Sequence, residues 1–167
     1  QVYLYNFDVC EVPDFEYRIV PHGFQKKDPR RYRMHLLEDI WANRSIYCHN
    51  TLKYIDPSLY KDEHSAWFST SGDQLCYTAH GNDNERKELV KLVATKMVAA
   101  LEAAPDKYVV GFTQMDNKHA CECDACIEAF DTYGADSAVV IKFCNETAAE
   151  MRNIFAAKGL NRDFKLV

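Results

Sequence analysis

Two stretches carry a helical period of apolar positions strong enough to define elements unaided. Over residues 82–104, Leu89, Leu92, Val93, Ala100 and Leu101 fall on one stripe, with Met97 beside it and Lys96 interrupting it. Asn82-Asp-Asn-Glu85 has the spacing of a capping box ahead of this helix, and Pro105 ends it. Over residues 136–158, Val140, Phe143, Cys144, Thr147, Met151, Ile154 and Phe155 mark a second buried stripe, and Gly159 suits the C-cap. Between the two, residues 108–113 form a continuous apolar run, the pattern of a strand covered on both faces. Residues 164–167 begin another strand.

The first half is less regular. Residues 2–7 and 15–20 read as short strands, the second bounded by Pro13 and Pro21, and residues 24–32 as a charged loop. Residues 32–43 suggest a helix with Met34, Leu37 and Trp41 on one face. A short strand ending at His49, turns with a short helix near Leu59 and Tyr60, and a strand over residues 74–78 follow. The second half therefore reads strand, helix, strand, loop, helix, strand. That alternation predicts an α/β fold of parallel β/α units with right-handed crossovers. Ligands of such folds bind beyond the carboxyl ends of the strands. His49, His80, Gln114, Asp116 and Asn117 all fall at or just after such ends.

Composition supports one globular domain over the 167 residues, with 47% hydrophobic and 27% charged residues. A formal net charge of -5 argues against a nucleic-acid partner, which calls for a basic face. The one basic run, Lys26-Lys27-Asp28-Pro29-Arg30-Arg31, reads as a solvated loop. No apolar run approaches the roughly 20 residues that span a bilayer, and no signal peptide is visible. The chain begins at Gln1 and ends in what reads as a strand just begun, so a fragment of a longer parent is expected. Asn43-Arg-Ser45 and Asn145-Glu-Thr147 fit the glycosylation pattern, a common chance occurrence.

The seven cysteines are few for a disulfide scaffold, but three crowd into Cys121-Glu-Cys123-Asp-Ala-Cys126. Three soft donors within six residues suit a metal such as zinc, which needs a fourth ligand in a structural site. Cys76 is the first candidate for that place and His119 the second. Disulfides among the same cysteines remain open, as does Cys-x-x-Cys redox chemistry. Just upstream, Asp116 at a strand end is a natural general acid, general base or sugar-hydroxyl ligand, or else a turn cap. Gln114, Asn117 and His49 would line the same site, and Arg18 could bind a carboxylate. Trp41, Trp67, Phe68 and Tyr77 could stack on sugars or belong to the core. No phosphate-cradling glycine loop and no Gly-x-Ser-x-Gly elbow occurs.

In order, Phe15-Glu-Tyr-Arg18, His49-Asn-Thr51, Gln74-Leu-Cys76, Gln114-Met-Asp116-Asn117 and the clustered cysteines make the chain resemble the domain-of-unknown-function family 4838. The resemblance implies a glycoside-hydrolase-like barrel in large secreted bacterial proteins, of which this chain would be about half of a TIM-type (β/α) barrel. It implies a secreted, periplasmic or cell-surface location and a carbohydrate partner. It also implies Asp116 at a barrel strand end, and Cys76 joined to Cys121, Cys123 and Cys126 around zinc. The chain departs from the family in a short segment between Arg18 and His49, and in His64-Ser65 where His-Pro is common. The expected function is a carbohydrate-active domain. The rival is a non-catalytic carbohydrate-binding or scaffold module with a structural four-cysteine zinc site.

Overall fold

The computed structural model of the chain describes residues 40–43, 46 and 48–167. Its contacts divide the chain into Gln1–Ile40 and Trp41–Val167, and the second unit is the one described below. The strands expected over residues 2–7 and 15–20, the following loop and most of the helix expected over 32–43 lie outside the described residues.

Two short helices, α1 (Thr51–Tyr54) and α2 (Pro57–Tyr60), precede a 3-10 turn at Ser65–Trp67. A second 3-10 turn at Ala79–Gly81 leads into the long helix α3 (Asp83–Ala103). Then come strand β1 (Val109–Val110), helices α4 (Asp124–Tyr133) and α5 (Ser137–Ala157), and strand β2 (Lys165–Leu166). β1 and β2 are parallel, with Val109 opposite Lys165 and Val110 opposite Leu166. Trp41 bridges Val109, also in parallel. Three parallel segments thus lie side by side in chain order, each connected to the next through helices. This is the predicted α/β arrangement. No helix among the described residues is long and apolar enough to cross a membrane.

The two long helices form as their sequences predict. Asn82 caps α3 by accepting from the backbone N–H groups of Asn84 and Glu85. The reciprocal half of the capping box is absent, because the Glu85 carboxylate accepts instead from His64 Nδ1 at 2.9 Å. Leu89, Val93, Met97 and Leu101 of α3 meet Phe143, Met151 and Phe155 of α5 and Val110 and Phe112 of the sheet in one core. The Phe112 and Phe143 rings stack 5.4 Å apart. Lys96, which interrupts the apolar stripe, donates from Nζ to the Tyr54 carbonyl at 2.5 Å and lies 5.0 Å from the Tyr60 ring centroid. Its alkyl stem packs while its charge finds oxygen and a π face. Gly159, at φ 70°, closes α5, and Leu160 N–H reaches back to the Phe155 carbonyl.

Three expectations need correction. The described end of the expected 32–43 helix is not helical: Trp41 is a β-bridge, and Ala42 N–H donates to the Val109 carbonyl. Sheet pairing overrides a weak helical period there. Of the strand expected to end at His49, the described residues 46, 48 and 49 are not in a strand, and His49 turns at φ 46°. Residues 74–78 contribute only the antiparallel bridge of Leu75 with Phe68 before turning toward Ala79–Gly81. In addition, the stretch after the clustered cysteines, read as loop, contains α4, which Asp124 opens and Gly134 closes at φ 72°.

Candidate metal centre and strand-end site

Three local structures deliver the four sulfurs. A hairpin built on Phe68 and Leu75 brings up Cys76, whose N–H bonds the Trp67 carbonyl. The first turn of α4 supplies Cys126 and its N-cap Cys123, and Cys121 precedes them. The Sγ atoms of Cys76, Cys121, Cys123 and Cys126 all lie within 4.8 Å of one another. Cys76 is 3.7 Å from Cys123 and 3.8 Å from Cys126, sulfur to sulfur. Tetrahedral zinc with bonds of about 2.3 Å would hold its sulfurs about 3.8 Å apart. All four are free thiols rather than disulfide partners. They are therefore grouped, with Cys76 and Cys126 buried, in a cluster that could hold a metal ion. His119, the second candidate for the fourth ligand, is elsewhere engaged: its Nδ1 pairs with the Asp73 carboxylate.

The backbone around Cys76 is bent to serve its sulfur. Ala79 and His80 adopt φ 47° and 51°, a left-handed conformation that costs residues with a Cβ roughly 1–2 kcal/mol each. That turn aims His80 N–H at Cys76 Sγ, 3.2 Å away. The His80 ring anchors the turn by donating from Nε2 to the Phe68 carbonyl. Thr78 Oγ1 lies 3.3 Å from Cys76 Sγ and 3.2 Å from Cys126 Sγ. Without a metal, bonding from Cys121 and then Cys126, with help from Thr78 and His80, draws the Cys76 thiol far below its ordinary pKa. Its neighbours move the other way. Contact with Cys121 and Cys76, then burial, raises Cys126 well above its usual range. Cys121 gains from Cys126 but is pushed up to about 12 by Cys76 and burial. One negative charge in the cluster suppresses the next, and a cation would relieve that repulsion. The positive end of the α4 dipole favours the thiolate forms of Cys123 and Cys126.

The second assembly lies past the end of β1, where side chains replace backbone pairing. Asn43 Nδ2 donates to the Gly111 carbonyl and Asn43 Oδ1 accepts from Gly111 N–H, both at 3.1 Å. Asn50 Nδ2 donates to the same carbonyl at 2.8 Å, and its Oδ1 accepts from Thr113 N–H at 2.9 Å. The Asn43 amide also donates to the Tyr54 hydroxyl. This asparagine is buried and fully used, so the glycosylation pattern it begins has a structural explanation.

His49 N–H then bonds Thr113 Oγ1 at 2.7 Å, and the His49 ring donates from Nδ1 to the Gln114 carbonyl at 3.1 Å. That bond leaves Nε2 of a neutral ring as an acceptor. The Gln114 side chain is exposed. Asp116 is exposed too, and its carboxylate makes no hydrogen bond or ion pair with the described residues. Asn117, also exposed, is committed to the loop scaffold: Oδ1 accepts from Gln74 Nε2 and from His119 N–H, and Nδ2 donates to the Asp73 carbonyl. His49, Gln114 and Asp116 thus gather at one strand end, Asn117 shapes the loop beneath them, and Arg18 lies outside the described residues. Trp67, Phe68 and Tyr77 are buried in the core and present no face for a sugar.

Sequence reasoning missed Gln74, the residue that organises this loop. Its Nε2 donates to the Met115 carbonyl at 2.8 Å and its Oε1 accepts from Met115 N–H at 3.2 Å. It is 2% exposed. The available signal was its place two residues before Cys76, on the same side of an extended segment.

No curated protein and no solved structure matches the chain. One family model does, over residues 3–160, and its description is a domain of unknown function. Nearly the whole length is covered, and the chain belongs to the DUF4838 family.

Proposed function

We propose that the chain is part of a carbohydrate-active (β/α)-barrel domain, working outside the cytoplasm, whose strand-end site handles polysaccharide. In this reading Asp116 is its reacting or hydroxyl-binding carboxylate, and His49 and Gln114 line the site. The observation that carries the reading is the contrast around Asp116. Asn43, Asn50, Gln74 and Asn117 are all spent on scaffold bonds, while this one carboxylate stands free past a parallel strand. Carboxylates so placed serve as acids, bases or sugar-hydroxyl acceptors. The resemblance drawn from the motifs supplies the carbohydrate class.

Zinc is the metal we assign to Cys76, Cys121, Cys123 and Cys126. Four thiolates leave it no open position, so its role is structural, and its binding contributes to folding. Bound zinc would also shield the thiols from oxidation outside the cell.

A non-catalytic binding module is the second reading. It is favoured by Asp73, whose carboxylate is already occupied by Ser71 and His119 and so is not a free second acid. The test is Asp116→Asn in the full-length protein, assayed on a panel of acidic and neutral polysaccharides. Catalysis through Asp116 predicts a loss of cleavage of about 100-fold or more with binding retained. Undiminished cleavage removes Asp116 from the chemistry. Binding without turnover in the wild type selects the module.

A further inference from the structure

We infer that Gln74 couples the tetrathiolate site to the Asp116 loop, so that metal occupancy sets the geometry of the strand-end site. The inference rests on the metal reading given above.

The connection is short and made of bonds. Cys76 contributes a sulfur to the cluster, and two residues earlier Gln74 grips the loop. The intervening segment is stiffened by the Phe68 hairpin: Cys76 N–H bonds the Trp67 carbonyl at 2.8 Å, and Ser69 N–H bonds the Gln74 carbonyl at 2.9 Å. At its tip the Gln74 amide imitates a neighbouring strand. It pairs with both the N–H and the carbonyl of Met115 and reaches on to Asn117 Oδ1. Asp116 lies between the two gripped residues. Asp73 adds a parallel contact, its carbonyl to Asn117 and its carboxylate to His119. The loop then returns to the cluster at Cys121. Both arms of the ring that encloses Asp116 therefore end on the same four sulfurs. Opening the cluster releases Cys121 and Cys123 together with the segment that carries Gln74. The buried Gln74 amide then either loses its partners or drags the loop with it, since an unpaired buried amide is costly. On the far side, Gln114 holds the His49 ring through its carbonyl, so a shift of Met115 is felt at His49.

The experiment compares the zinc-loaded and EDTA-treated forms of the full-length protein. Backbone amide exchange is followed over residues 114–119, and the imidazole 15N shift of His49 reports its bond to the Gln114 carbonyl. Cobalt substitution is the independent check on the metal, since thiolate-to-cobalt charge-transfer bands appear whether or not any glycan is bound. The expected result is at least tenfold faster exchange over 114–119 and a moved His49 signal when wild-type zinc is removed. In Gln74→Leu the cobalt bands persist, exchange is already fast, and EDTA changes it less than threefold. Gln74→Glu, which keeps the acceptor for Met115 N–H but loses both donors, gives the same outcome should the leucine variant fail to fold. An EDTA response in the folded variant as large as in the wild type overturns the coupling. Absent cobalt bands in the wild type overturn the metal site and this inference with it. Loss of glycan activity in Asp116→Asn bears on neither.

Discussion

Asparagine and glutamine take over backbone roles at the points where regular pairing stops. Asn43 and Asn50 carry the Trp41 segment's contact with β1 onward to Gly111 and Thr113, and Gln74 does the same for Met115. Each amide offers a donor and an acceptor at the spacing of a peptide group, so it can pair without the chain staying extended. Sequence alone gave Asn43 a glycosylation reading and Gln74 none, because an amide's partners depend on which segment passes it. The cysteines were more legible. Three in six residues announce themselves, and Cys76 was named as their partner because soft donors in a structural site come in fours. At this scale Cys76→Ser is decisive. It removes the thiolate that His80 N–H and Thr78 address. Under the zinc assignment proposed above, bound metal measured by elemental analysis is expected to fall from about one per chain to below about 0.2.

Among the elements, legibility followed length. The helices α3 and α5 each run 21 residues and repeat their apolar period often enough to be read directly. The short pieces misled. His49 was placed at a strand end, yet it occupies a left-handed turn that only Thr113 and Gln114 account for. α4 was hidden because Ile127, Phe130 and Tyr133 leave much of their apolar surface exposed, so its period does not mark a core face. The cap of α3 gives the prediction proper to this scale. Asn82→Ala deletes the acceptor for two N–H groups and is expected to cost about 1 kcal/mol, read from the urea midpoint. Asn82→Asp should recover most of that loss.

Across the molecule, helices α3 and α5 share one core with the parallel segments, and the residues after the Trp41 segment and β1 meet through Asn43 and Asn50. Burial raises the titration of three groups in or against the core, Tyr54, Tyr77 and Cys144. Burial, only partly offset by the Asn43 bond, pushes the Tyr54 hydroxyl up to about 12 from 10.0. Its folded pKa is raised, so its stabilising contribution is complete below pH 10 and is lost as pH rises toward 12. Denaturant midpoints should begin to fall above about pH 9, where the half-buried Cys144 thiol, raised from 9.0 to about 11, starts to contribute, and fall more steeply above pH 10, with a shallower decline there in Tyr54→Phe. The sequence by itself determined the α/β alternation and the two long helices, and it named Cys76 beside the three clustered cysteines. The alternation and the helices follow from periodicities written locally in the chain, and Cys76 from the need of a structural metal site for a fourth soft donor. Tertiary structure alone decided that the Asn117 amide is spent on Gln74 and Asp73, that His119 serves Asp73 rather than the sulfurs, and that Gln74 grips Met115. Each of those outcomes depends on a partner more than 40 residues away, and no local pattern encodes which polar group will arrive there.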